Sequence, residues 1–158
     1  MALRLYADTS VIGGCLDPEF RERSISLLGK FEAGEAILVL SDLTLIELKQ
    51  APATVQRVLD RVPDRHRERV VLTEEATTLA EQHVTAGVVT AGKLVDAQHI
   101  AIATLSQVDA LVSWNFKHIV NLRRIRGYNS VNLRLGHRLL EIRTPPEVLE
   151  NDEQEEQI

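Results

Sequence analysis

Apolar residues fall into two spacings along the chain. Short runs, Leu3-Arg-Leu-Tyr-Ala7, Ala36-Ile-Leu-Val-Leu40, Val70-Val-Leu72, Ala110-Leu-Val-Ser113 and Leu139-Leu-Glu-Ile142, predict strands. Between them, apolar residues recur every three or four positions, as in helices with one buried face. Phe20, Ile25, Leu28 and Phe31 mark a helix over 19–32, ended by Gly34. Further helices are predicted over 43–50, from Pro52 to about Val62, over 74–86 and over 94–107, with a basic helical segment between Val120 and Leu135. Asp8-Thr9-Ser10 and Ser41-Asp42 place capping residues directly after the first two strands, while Gly13-Gly14 is expected to interrupt any helix there. Thr144-Pro145-Pro146 is expected to close the fold.

Alternation of strands and helices over nearly the whole length predicts an α/β protein, a three-layer α/β/α sandwich with a mainly parallel central sheet. The unbroken apolar run at Ala36–Leu40 agrees with a strand covered on both faces. No repeat or linker interrupts the pattern, so residues 1–149 are expected to form one domain and the acidic residues 150–158 a flexible tail. The 158 residues are 44% hydrophobic and 26% charged, which excludes wholesale disorder. A formal net charge of -5 excludes nucleic-acid binding by bulk charge and leaves room only for a local basic patch. The single cysteine, Cys15, excludes an intrachain disulfide and a multi-cysteine zinc site, and is expected to be a small, half-buried residue. There is no signal-peptide pattern or membrane-length apolar run, so a soluble cytoplasmic protein without membrane contact is expected.

Open parallel sheets bind ligands outside the carboxyl ends of their strands. Asp8, Thr9 and Ser10 follow the first predicted strand; Ser41 and Asp42 follow the second, with Glu47 a turn further on. Ser113, Trp114 and Asn115 follow the fourth, and Asp96 opens the helix leading into it. Singly, each acid has a structural reading: Asp8 and Asp42 as helix caps, Glu47 as a solvent-facing helical residue. Together, carboxylates crowded on one rim call for a cation, and oxygen ligands without cysteine suit Mg²⁺ or Mn²⁺. Asp109 stands before the fourth strand, at the opposite end, and reads as a turn residue.

Four segments carry a family resemblance: Tyr6-Ala-Asp-Thr-Ser-Val-Ile12, Ser41-Asp-Leu-Thr-Leu-Ile-Glu-Leu48, Lys93 to Thr104, and Asp109-Ala-Leu-Val-Ser-Trp-Asn115. In this order they resemble the PIN-domain ribonucleases, especially the VapC-like toxins of toxin–antitoxin pairs. The resemblance implies Mg²⁺- or Mn²⁺-dependent hydrolysis of RNA phosphodiester bonds, with Asp8, Glu47 and Asp96 as metal-binding acids. It places supporting hydroxyls at Thr9 or Ser10 and at Ser113, and implies an antitoxin partner and a homodimer. Many members carry a further aspartate where this chain reads Trp114-Asn115-Phe116-Lys117-His118. Asn115 is the nearest replacement and His118 an alternative; an asparagine offers a carbonyl oxygen but no charge. The rival expectation is a catalytically weak or inactive domain that binds RNA or protein.

Lys93, Lys117, Arg123, Arg124 and Arg126 put positive charge near the same rim, where they either contact phosphates or solubilise the segment. His99, three residues after Asp96, reads as a packing or substrate-contact residue. His118 is a further substrate-contact candidate. His66, His83 and His137 read as surface or turn residues, and Trp114 as a half-buried aromatic closing a core strand.

Overall fold

The computed structural model describes residues 2–149; Met1 and the predicted tail, 150–158, lie outside the described residues. Five parallel strands form one sheet in the order β3-β2-β1-β4-β5. Strand β1 (Leu3–Ala7) leads through α1 (Thr9–Gly14) and α2 (Arg21–Ala33) to β2 (Ala36–Ser41). Helices α3 (Asp42–Gln50) and α4 (Ala53–Asp60) then lead to β3 (Arg67–Val70) at one edge. The chain crosses to the other half through α5 (Glu74–Thr85) and α6 (Leu94–Leu105) into β4 (Ala110–Val112), and α7 (Leu122–Arg134) carries it to β5 (Ile142–Arg143). Among the described residues, no helix is long and apolar enough to cross a membrane.

The period-two alternation of strand side chains sorts the core into two halves. Leu5, Ala7, Leu38, Leu40, Ala110 and Val112 face a layer containing Val11, Ile12, Leu27, Leu28, Phe31, Val58 and Leu59. Tyr6, Val39 and Leu111 face the opposite layer, with Leu79 and Ala80 of α5, Ile100 and Ala103 of α6, and Tyr128 and Val131 of α7. This is the predicted three-layer sandwich. Its central strands are apolar throughout because helices cover both faces.

Departures from the predicted elements fall at the edges. Strand β3 starts at Arg67 rather than Val70, because pairing with β2, from Leu38↔Arg67 to Ser41↔Val70, sets its limits while Val71 is exposed. Strand β5 is confined to Ile142–Arg143, paired with Leu111 and Val112. The predicted run from Leu139 stops short of the sheet: the Asn129 side chain holds Leu140 through its N–H (2.7 Å) and its carbonyl (3.0 Å). Helix α1 runs through both glycines instead of breaking at them. A Cβ at Gly14 would lie 2.5 Å from Ser24 Oγ and 3.0 Å from Trp114 Nε1, so this glycine permits close packing. Gly34 does end α2, at φ 76°, where residues other than glycine are disfavoured.

Two histidines expected at the surface are structural. His66 is half-buried, with Nδ1 3.1 Å from the Glu32 carbonyl. His83 is fully buried, with Nε2 3.0 Å from Asn132 Oδ1 and its ring edge-on to Tyr128. Asn132 Nδ2 donates in turn to Thr104 Oγ1, joining α5, α7 and α6. The signal was present: Ala76, Leu79, Ala80 and His83 share one helical face, and all are buried.

Burial holds the His83 pKa below its ordinary value, against the opposing effect of the Asn132 hydrogen bond. The folded state therefore favours neutral His83. Its contribution is present in full above the unfolded pKa of about 6.5 and is lost as pH falls toward the depressed folded value. Urea midpoints of the wild type are expected to drop between pH 7 and pH 5 more steeply than those of His83→Gln. Parallel profiles would remove His83 as the source.

Candidate active site

The sheet order reverses between β1 and β4, the kind of switch point at which open parallel sheets bind ligands, beyond the carboxyl ends of the strands. Asp8 is buried there, directly after β1. It is the N-cap of α1, Oδ1 accepting from Ser10 N (3.1 Å), so the capping and acidic readings describe one residue. Oδ1 also accepts from Ser10 Oγ at 2.5 Å, and Oδ2 accepts from Ser113 Oγ at 2.6 Å. The two hydroxyls have a second use: Ser10 Oγ accepts from Trp114 N (2.9 Å), and Ser113 Oγ from Asn115 N (2.9 Å).

Glu47, on α3, is held separately. Thr9 Oγ1 donates to Oε2 at 2.8 Å, and His99 Nε2 lies 2.7 Å from Oε1. The hydroxyls expected beside the first acid therefore divide, Ser10 serving Asp8 and Thr9 serving Glu47. His99 is buried, which favours the packing reading over substrate contact. Its Nδ1 lies 2.6 Å from Tyr6 Oη, itself 2.6 Å from Ser41 Oγ, which accepts from Thr44 N. In the neutral imidazole this chain has one consistent proton order. Ser41 donates to Tyr6, Tyr6 to Nδ1, and Nε2–H to the ionised Glu47. Tyr6 was not singled out from the sequence, although a tyrosine flanked by Leu5 and Ala7 in a buried strand requires a hydroxyl partner.

Asp96 is the third residue of α6, half-buried, in the first turn where the helix dipole favours an anion. Burial raises its pKa; His118, His99 and Lys93 oppose that rise and Glu47 adds to it. Burial also raises Asp8, against the hydrogen bonds from Ser10 and Ser113 and the charge of His99, and Glu47 adds to that rise as well. Glu47 goes the other way: burial pushes it up, but His99 and Thr9 outweigh burial and hold the carboxyl below its usual value. The three carboxyls thus share one electrostatic neighbourhood. Among the described residues, no three His, Cys, Asp or Glu side chains are gathered closely enough to form a ready ion cage.

Asn115 is half-buried and caps the turn that follows β4. Its Oδ1 accepts from His118 N (3.0 Å), and its carbonyl accepts from Ile119 N (3.1 Å) and Val120 N (2.8 Å). Lys93, Lys117, Arg124 and Asp96 all act electrostatically on His118, so these charges surround that turn. Arg124 also donates to the Val88 carbonyl. Arg123 is exposed on α7 and is not among the charges acting on His118 or Asp96.

Asp42 is not the cap of α3. Ser41 is the N-cap of α3, while Asp42 pairs with Arg69 (2.8 Å) on the edge strand. Asp109 accepts from Arg4 N (2.7 Å) at the far end of the sheet, as expected of a turn residue. Trp114 is half-buried, with Nε1 2.8 Å from Ser24 Oγ and its ring stacked on Phe20. Cys15 is buried, and burial raises its thiol pKa to about 11, which leaves no reactive thiolate.

A five-stranded parallel sheet covered on both faces, with polar groups from β1, β2 and β4 on one rim, is a PIN-like fold. The chain is similar to one in VapBC2 from Rickettsia felis, solved bound to a DNA fragment from its promoter. The TM-score is 0.57 at 13% identity, covering 90% of this chain and 98% of that one. It is similar to the same degree to a chain of FitAB bound to an IR36 DNA fragment, with TM-score 0.57 and 14% identity over 89% and 94%. At such identities the likeness concerns the fold. No family model matches the chain, and no curated protein matches it significantly.

Because burial raises the Asp8 pKa, ionised Asp8 opposes folding at neutral pH, and the opposition fades as pH falls through the raised value. Asp8→Asn keeps a good cap and removes the charge. The metal-free variant is therefore expected to melt at or above the wild-type temperature, and a clear fall in calorimetric melting temperature would contradict this electrostatic account. Tyr6→Phe, by contrast, leaves Ser41 and His99 Nδ1 without their shared partner, and is expected to cost about 1–3 kcal/mol in urea unfolding.

Proposed function

We propose that this protein is a divalent-cation-dependent endoribonuclease that hydrolyses RNA phosphodiester bonds, the toxin of a toxin–antitoxin pair. The observation that carries this reading is the state of the three acids. Asp8 and Asp96 are raised by burial, Glu47 raises both further, and the hydrogen bonds to Asp8 come from neutral hydroxyls. The nearby charges of His99, His118 and Lys93 oppose these rises without cancelling them, so an added cation would stabilise the group. Its donors are oxygens, which suits Mg²⁺ or Mn²⁺, and Mg²⁺ commonly keeps several waters, so a tight protein cage is not required. Such an ion, when bound, makes water a stronger nucleophile and neutralises charge on a phosphoryl oxygen.

In this reading Asp8, Glu47 and Asp96 hold the ion. Ser10 and Ser113 fix both oxygens of Asp8, and Thr9 and His99 fix both oxygens of Glu47. Lys93, Lys117 and Arg124 attract the RNA backbone to the turn around His118. The resemblance to VapC-like toxins, together with a fold shared with chains of VapBC2 and FitAB, supports an antitoxin partner and a homodimer as further parts of the proposal.

The rival, a binding module without catalysis, draws support from Asn115, whose carbonyl oxygen is already engaged in its turn. Calorimetric titration separates the two, since the nuclease reading expects Mn²⁺ binding at millimolar metal or below and the rival expects none. Asp8→Asn is expected to reduce Mn²⁺-dependent RNA cleavage to background without loss of fold, and unchanged cleavage would sink the assignment. Asn115→Asp should tighten Mn²⁺ binding, because aspartate caps the turn as well as asparagine and adds a charge.

A further inference from the structure

One large aromatic ring beside this site stays exposed. Phe116 is 51% exposed, yet the turn that carries it is firmly held. Its N–H donates to the Trp114 carbonyl (2.9 Å), and its own carbonyl accepts from Asn121 Nδ2 (2.8 Å). Asn115 closes the turn from within. Two rings support Phe116: Phe20 and Trp114 stack at 4.5 Å and 23°, and the Phe116 centroid lies 6.4 Å from the first and 6.2 Å from the second. A ring presented on a stiff support loses little freedom on binding a ligand.

Its position relative to the acids is fixed. Trp114 N donates to Ser10 Oγ, which donates to Asp8. The same turn carries His118, around which Lys93, Lys117, Arg124 and Asp96 gather. A half-exposed aromatic ring and a group of cations therefore lie about one turn that is tied to Asp8 through Ser10. An apolar protein segment would use the ring and have no need of the cations. A strand of nucleic acid uses both, through a base and a phosphate. In a duplex the base faces are already stacked on their neighbours, so only an unpaired base can reach the ring.

We propose that Phe116 is a stacking platform for one unpaired base of single-stranded RNA, with the cations around His118 taking the adjoining phosphate. This rests on the RNA-hydrolysing reading above and narrows its substrate class. Every base has a π-face, so the platform selects for single-strandedness over sequence.

The test uses the metal-free full chain, a short labelled single-stranded RNA and the same RNA annealed to its complement, followed by anisotropy. The wild type is expected to bind the single strand well above the duplex. Phe116→Leu, which keeps apolar bulk and loses the π-face, is expected to weaken single-strand binding roughly tenfold, while Phe116→Tyr retains it. With Mn²⁺ present, Phe116→Leu should raise KM and leave kcat nearly unchanged. Equal affinity of Phe116→Leu and wild type for the single strand, or equal affinity of the wild type for duplex, overturns the platform. So does a variant that binds RNA normally but no longer binds a protein partner, which would make this face a protein-docking surface. Wild-type protein that neither binds nor cleaves RNA defeats the nuclease reading itself; cleavage unaffected by Phe116→Leu defeats only the platform.

Discussion

The site depends on a hydrogen bond across the sheet, from Ser113 Oγ to Asp8 Oδ2, 2.6 Å long and joining residues 105 apart in sequence. It forms at the boundary between β1 and β4, where the chain leaves the two strands toward different layers. Helix α1 packs Val11 and Ile12 on one side, whereas Ile119, Val120 and α7 pack on the other. The divergence is the sheet's topological switch point, and Asp8 is buried there. Ser10 and Ser113 each serve the carboxylate and also hold an N–H of the turn after β4. Moving the turn would disturb the carboxylate, and losing either serine hydroxyl would loosen both.

The legible part of the fold was the part that hydrophobicity alone determines. Strands β1, β2 and β4 lie under helices on both faces, so their apolar runs could be read directly. Strands β3 and β5 are edges, and their limits come from register with a neighbour, as with Arg67 opposite Leu38 or Ile142 opposite Leu111. No local pattern encodes that register. The same division runs through the site. The placing of Asp8, Glu47 and Asp96 near one rim follows from strand ends and could be anticipated. Which hydroxyl serves which acid could not, because Thr9 and Ser10 are adjacent and only the turn of α1 sends one to Glu47 and the other to Asp8. His83 shows the complementary failure: its helical spacing was visible, but a polar residue type outweighed it.

Asn115 changes meaning once its hydrogen bonds are known. Read as a sequence, it stands where many members of the family it resembles offer an acid, and looks like a lost ligand. In the structure it caps the turn through Oδ1 and anchors it through its carbonyl. Asparagine and aspartate cap turns about equally well. The fold therefore constrains this position to a short side chain with an oxygen acceptor and leaves its charge open. An aspartate could keep the same capping hydrogen bond, and the same turn would go on presenting Phe116 and Lys117.

The three carboxyls are not equivalent, and their differences have separate causes. Glu47 is held as an anion by Thr9 and by His99, the end of a buried hydrogen-bonded chain that runs from Ser41 through Tyr6. Asp8 and Asp96 carry the cost of burial and of the Glu47 charge. A lysine or arginine paired with Asp8 would relieve that cost permanently, and would also take the place a mobile cation could fill. Two serine hydroxyls orient the carboxylate without neutralising it. Burial and the Glu47 charge therefore make ionised Asp8 unfavourable in the metal-free fold, and in the proposed reading a bound cation would relieve that cost.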